Sequence, residues 1–191
     1  MHSTEQDKND LSISMGMANL YSLAFIIPLA IIELGLYYLI WGHGSMDLAV
    51  QAVARHFRWY VLFFLIGIII HEAIHGVTWM VAGRKSLKTI RFGINIRALT
   101  PYAHCNEPLT IGVYRLGTLM PGLLLGIVPY LFGLLSGNGG IMLFGLLFTV
   151  AAGGDALVLW IIRKEKPDRL VLDHPTRVGC LIAEESKSGK D

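Results

Sequence analysis

Charged residues are scarce in this chain. Asp, Glu, Lys and Arg make up 16% of its 191 residues against 53% hydrophobic ones, and the mean hydropathy is +0.54. Soluble domains carry about a quarter charged residues, so a water-covered globule is excluded and an integral membrane protein is expected. Cysteine is scarcer still, with only Cys105 and Cys180. Two thiols, both in segments expected to face the cytoplasm, argue against a disulfide framework and for free thiols. A basic leader is also missing. The first 19 residues carry Glu5, Asp7 and Asp10 with one lysine and no small-residue cleavage site, so the first hydrophobic run is expected to stay in the mature protein. The net charge of +2 offers no basic excess that calls for nucleic acid.

What is present is hydrophobic length. Crossing a hydrocarbon core of roughly 30 Å takes about 20 helical residues, and four runs qualify: about Leu20 to Ile40, Tyr60 to Ala82, Leu116 to Leu135 and Ile141 to Ile162. Basic residues orient them. Arg84, Lys85, Lys88, Arg91, Arg97 and Arg115 lie between the second and third runs. Arg163, Lys164, Lys166, Arg169, Arg177, Lys187 and Lys190 follow the fourth, whereas only Arg55 and Arg58 separate the first two. Positively charged connections stay inside, so the second connection and both termini are expected on the cytoplasmic side. The fold expected is a mainly α membrane protein: four transmembrane helices in residues 1–163, then a cytoplasmic tail, 164–191, whose end from Glu184 is expected to be disordered.

Within the second run stands His71-Glu72-Ala73-Ile74-His75. Ionisable groups at membrane depth are costly and mark function by default. On a helix, residues i and i+4 share a face, so His71 and His75 can hold one metal ion between two imidazoles. Glu72 then stands beside the metal, where a carboxylate can take a proton from water; His-Glu-x-x-His is the zinc hydrolase pattern. Gly67 and Gly76 flank the motif and suit close approach of another helix.

A third ligand is sought among the remaining acids. Asp155 follows Ala151-Ala152-Gly153-Gly154 in the fourth run. His75 and Asp155 stand similar distances ahead of the basic residues that close their runs, which puts both roughly 12 to 14 Å from one boundary at about 1.5 Å per residue. Asp155 is therefore the best third ligand, with Asp173 and His174 weaker candidates. Glu33, in the first run, reads as an acid bonded to a polar neighbour, or else as a substrate or proton contact. His43 and His56 read as loop and surface residues.

Between the second and third runs the periodicity changes. Ile90, Phe92, Ile94 and Ile96 alternate with Arg91, Gly93, Asn95 and Arg97, and Leu109, Ile111 and Val113 alternate with polar or small residues. Period two predicts a small cytoplasmic β-hairpin or sheet, with Thr100 to Pro108 as its turn. Such strands either bind an extended substrate by adding a strand or simply cover the bundle. His104 in that turn reads as an oxyanion donor, a ligand or a surface residue, and Asn106 as an alternative donor. Leu170 to Pro175 and Val178 to Ile182 suit a tail folded back on the cytoplasmic face. The third run holds Gly117, Pro121, Gly122, Gly126, Pro129 and Gly133, which predicts a kinked or partly unwound span that admits water.

The metal motif, Thr100-Pro101-Tyr102-Ala103-His104-Cys105, Met120-Pro121-Gly122, Ala152-Gly153-Gly154-Asp155, Asp173-His174-Pro175 and Gly179-Cys180 together resemble the putative zincin peptidase family of small bacterial integral membrane proteins. More distantly, the order of motif helix, strands and later aspartate is similar to site-2 proteases. The likeness implies zinc, His71, His75 and Asp155 as ligands, Glu72 as base, and residence in the bacterial cytoplasmic (inner) membrane. Site-2 proteases place the aspartate ahead of a glycine, whereas here it follows two, and no PDZ-like module is present. The activity expected is zinc-dependent endoproteolysis of membrane or membrane-proximal proteins. The competing reading is a non-catalytic metal-binding adaptor or metal transporter.

Overall fold

A computed structural model describes residues 9–95 and 100–183. The expected disorder from Glu184 onward, and the Ile96 and Arg97 end of the strand pattern, fall outside the described residues. Strand β1 (Asp10–Ile13) leads into helix α1 (Met15–Arg55), capped by Ser14, whose hydroxyl accepts from the Met17 N–H. α1 is interrupted at Gly42, where φ is 77°. This left-handed conformation suits glycine, and it falls where the sequence ends the first run. Helix α2 (Phe57–Ala82) carries the His-Glu-x-x-His motif.

The next connection differs from its sequence reading. β2 (Ile90–Asn95) pairs antiparallel with β3 (Thr100–Cys105), so most of the stretch expected to be a turn is a strand. Pro101 tolerates this because β3 pairs with β2 alone, and proline's missing N–H is accepted at an edge. The second alternating stretch is a strand only over β4 (Leu109–Thr110); helix α3 (Ile111–Pro121) begins at once. Thr110 caps it by accepting from the Val113 N–H, and Ile111, Tyr114, Thr118 and Pro121 are buried at helical spacing.

A π-helical segment, Gly122–Ile127, continues α3 into α4 (Val128–Ser136), so the proline-rich span runs as one continuous helix with a widened turn and not as the kinked or unwound span expected. The fourth run is not one straight helix. α5 (Gly139–Ala151) and α6 (Gly153–Ile161) meet at Ala152 with a bend of 42°, at the two glycines that precede Asp155. Among the described residues, three helices are long and apolar enough to cross a membrane, or four if the bent pair is one span.

The tail supplies β5 (Leu170–Asp173) and β6 (Val178–Ile182). They join β1 and β4 in an antiparallel sheet ordered β1-β6-β5-β4. One apolar core lies where the helices meet the strands, built on Trp79, Ile90, Cys105, Ile111, Tyr114, Ile162 and Val171; another joins Tyr37, Tyr130, Leu134 and Met142 in the bundle. Both cysteines are free and buried. The approach expected at Gly76 comes from a strand and not from a helix, since a Cβ there would meet Phe92 and Ile90 of β2.

Candidate metal centre

The motif stands on α2 with His71 and His75 one turn apart, both nearly enclosed at 9% and 7% exposure. Helix geometry alone brings their rings to a centroid separation of 4.9 Å. Two further contacts fix His75. Its Nδ1 lies 2.9 Å from the Gly117 carbonyl oxygen, which accepts only from a protonated Nδ1 and leaves the Nε2 lone pair facing inward. Its ring stacks on Trp79 at 5.5 Å, and Trp79 stacks on Tyr114 at 5.7 Å with planes only 1° apart. Gly117 permits this closeness, because a Cβ there would collide with the Trp79 indole.

Asp155 arrives from α6, in its first turn, directly after the bend. Arg115 holds the far end of that helix, donating to the carbonyls of Ile162 and Glu165. The Asp155 carboxylate faces both histidines: Oδ2 is 3.1 Å from His71 Nε2 and Oδ1 is 3.4 Å from His75 Nε2. The two Nε2 atoms are 3.2 Å apart. Yet Asp155 Oδ2 is an enclosed oxygen without a hydrogen bond. Three atoms that can each offer a lone pair thus converge on one point, an arrangement that a cation between them satisfies.

These separations suit zinc. Ligand bonds of about 2.0 to 2.2 Å to a tetrahedral ion put neighbouring ligand atoms about 3.3 Å apart, against the 3.1, 3.2 and 3.4 Å here. Two imidazoles and one carboxylate are also a donor set of the catalytic kind, which leaves a coordination position open. His71, His75 and Asp155 are the described residues grouped closely enough to share an ion.

Glu72 points beside this trio. Its carboxylate lies within reach of the backbone N–H of Ala103 in β3, and it is only partly buried. Of the Asp155 side chain 21% is likewise exposed.

His104 is not part of the trio. Its Nδ1 lies 2.9 Å from Asp173 Oδ2, a hydrogen bond that holds the imidazole's proton affinity above its ordinary value, with Arg91 opposing. Asn106 is tied to the Thr89 carbonyl by its amide and backbone N–H groups. His174 Nδ1 accepts from the backbone N–H groups of Thr176 and Arg177, closing a turn. Asp173, a weaker ligand candidate by sequence, has its two oxygens engaged by Tyr114 and His104. Glu33 meets the polar neighbour expected of it, accepting from Thr149 Oγ1 at 2.7 Å. Sequence reasoning missed the Trp79 and Tyr114 stack. The spacing of His75 and Trp79 by four residues is the signal that would have found its first step.

A family model described as Putative zincin peptidase matches residues 64–170. That stretch holds the motif, β2, β3 and Asp155, and stops short of Asp173. No curated protein and no solved structure matches the chain.

Proposed function

The chain belongs to the family described as Putative zincin peptidase, and from that premise we propose that it is a zinc-dependent endopeptidase of the membrane. Its substrates are membrane or membrane-proximal protein segments. The observation that carries this reading is the convergence of His71, His75 and Asp155 on one point beside Glu72.

Zinc bound by those three side chains would polarise a peptide carbonyl and acidify a water molecule. Glu72 takes the proton from the attacking water, and the C–O bond forms at the peptide carbon. As the C–N bond breaks, Glu72 returns that proton to the departing amine nitrogen, so one water is consumed and the base is restored. The Ala103 N–H orients the Glu72 carboxylate for both transfers. The strand beside the site suits a substrate held in extended form by backbone hydrogen bonds.

Basic residues follow α2 and α6, and the Arg163 guanidinium lies 3.7 Å over the Trp160 ring, an arrangement suited to a membrane interface. By the positive-inside rule the strands and both termini face the cytoplasm of a bacterial cell. A metal transporter needs ligands spaced along a path. Here the ligands gather at one point, and Glu33, an acid elsewhere in the bundle, is bonded to Thr149.

The test compares purified wild type with Glu72→Gln for zinc content and for hydrolysis of dye-quenched casein in detergent. Glu72→Gln is expected to retain zinc and to lose about 100- to 10,000-fold in rate, the usual contribution of a general base. A wild type that binds no transition metal would overturn the proposal. Hydrolysis that survives in Glu72→Gln would remove Glu72 as base.

A further inference from the structure

Asp173 lies beyond the residues matched by the family model, yet it joins the two halves of the site. Its Oδ1 accepts from the Tyr114 hydroxyl at 2.9 Å, and its Oδ2 is 2.9 Å from His104 Nδ1. From Tyr114 the contacts run through stacked rings to Trp79 and then to the ligand His75. From His104 they run one residue along β3 to Ala103, whose N–H reaches Glu72. Asp173 itself is well held, since β5 pairs with β6 on one side and β4 on the other.

β3 is paired along one edge. Among the described residues it pairs with β2 only, and although its Cys105 is buried in the core, a two-stranded ribbon needs further anchoring to fix its position. The position of Ala103 therefore depends on what else grips the strand, and the His104 to Asp173 link is the side-chain tie beside it. Misplacing a reacting group by 1 Å can cost about 100-fold in rate.

We propose that Asp173 is a positioning residue for Glu72: by gripping His104 it holds β3 so that the Ala103 N–H lies on the general base. This rests on the reading of Glu72 given above. His104 then serves as the handle of the strand, and its Nδ1 donates to Asp173 whether the ring is neutral or protonated. The charged neighbours that face it are Asp173 from β5 and Arg91 from β2.

The experiment uses the full chain in detergent as wild type, Asp173→Ala, His104→Ala and Asp173→Asn. It measures zinc content, hydrogen exchange at the Ala103 amide, and kcat and KM on dye-quenched casein. Asp173→Ala and His104→Ala are expected to keep zinc at the wild-type level and to exchange faster at Ala103. Their kcat should fall about 10-fold, the lower end for partners that orient a metal site, with KM unchanged. Asp173→Asn should restore most of the rate, because its carbonyl still accepts from His104 while its amide faces the Tyr114 oxygen. Exchange at Ala103 that is unchanged in both alanine variants would overturn the proposal, as would an undiminished kcat. Should Asp173→Ala fail to fold, His104→Ala decides alone. If wild type hydrolyses nothing in a metal-dependent way, the peptidase reading fails, and exchange at Ala103 by itself decides whether Asp173 grips the strand.

Discussion

Glu33 and Asp155 are both acids within the helical bundle, and their surroundings are chemically opposite. Glu33 receives a proton donor: Thr149 donates to Oε2 at 2.7 Å, and Tyr130 donates to the residue's backbone carbonyl at 2.9 Å. Asp155 instead meets two imidazole Nε2 atoms, groups able to ligate a metal, at 3.1 and 3.4 Å, while each acid keeps one enclosed oxygen without a hydrogen bond, Glu33 Oε1 and Asp155 Oδ2. Burial of an acid in an apolar helix therefore does not identify a site. What identifies it is the chemistry of the neighbours: Glu33 meets a hydroxyl donor, whereas Asp155 meets two imidazoles that can share one cation with it.

The strongest way to break this contrast is to remove each acid in turn and measure zinc. Asp155→Ala is expected to weaken zinc binding by more than about 100-fold, beyond the range typical of groups that only orient ligands. Glu33→Gln should leave zinc content and casein hydrolysis at wild-type levels. It should also change unfolding free energy by no more than about 1 kcal/mol, the usual net worth of one hydrogen bond. Loss of metal from Glu33→Gln would mean that the two acids are not functionally distinct.

A smaller effect sharpens the contrast on the strand side. His104 binds its proton more tightly in the folded chain than the ordinary value of 6.5, chiefly through its hydrogen bond to Asp173. A raised folded pKa gives stability that is fully present below the unfolded value and lost as pH rises through the folded one. Thermal stability of wild type should accordingly fall as pH rises above about 6.5 through the His104 titration. In Asp173→Asn that part of the pH dependence should vanish, and an identical profile in both proteins would exclude the pair as its source.

The smallest effect concerns the thiols. Burial raises the proton affinity of Cys105 and pushes that of Cys180 up to about 12, so neither is a thiolate at neutral pH. Iodoacetamide should label both only after denaturation, and labelling of the folded chain would show that the strand core opens.

The sequence was most legible where structure is set by near neighbours. His71 and His75 share a face because a helix repeats every 3.6 residues, and β2 follows from alternation at Ile90, Phe92 and Ile94. The same test misled at Leu109, Ile111 and Val113, a window too short to separate period two from the helical burial of Ile111, Tyr114 and Thr118. Thr110 as a cap was the signal that favoured the helix. Thr100 to Cys105 was misread because proline usually ends a strand, and only the edge position of β3 makes Pro101 acceptable.

By itself the sequence determined the apolar helices, the histidine pair with Glu72 beside it, and the candidacy of Asp155, because these follow from periodicity and from the cost of charge in hydrocarbon. Only the tertiary structure decided that Asp155 meets both imidazoles, that the fourth run bends at Ala152 before it, and that His104 turns to Asp173. Those outcomes depend on contacts between segments far apart in the chain. Such contacts are set by which side chains can pack and satisfy one another in three dimensions, and no local pattern records them.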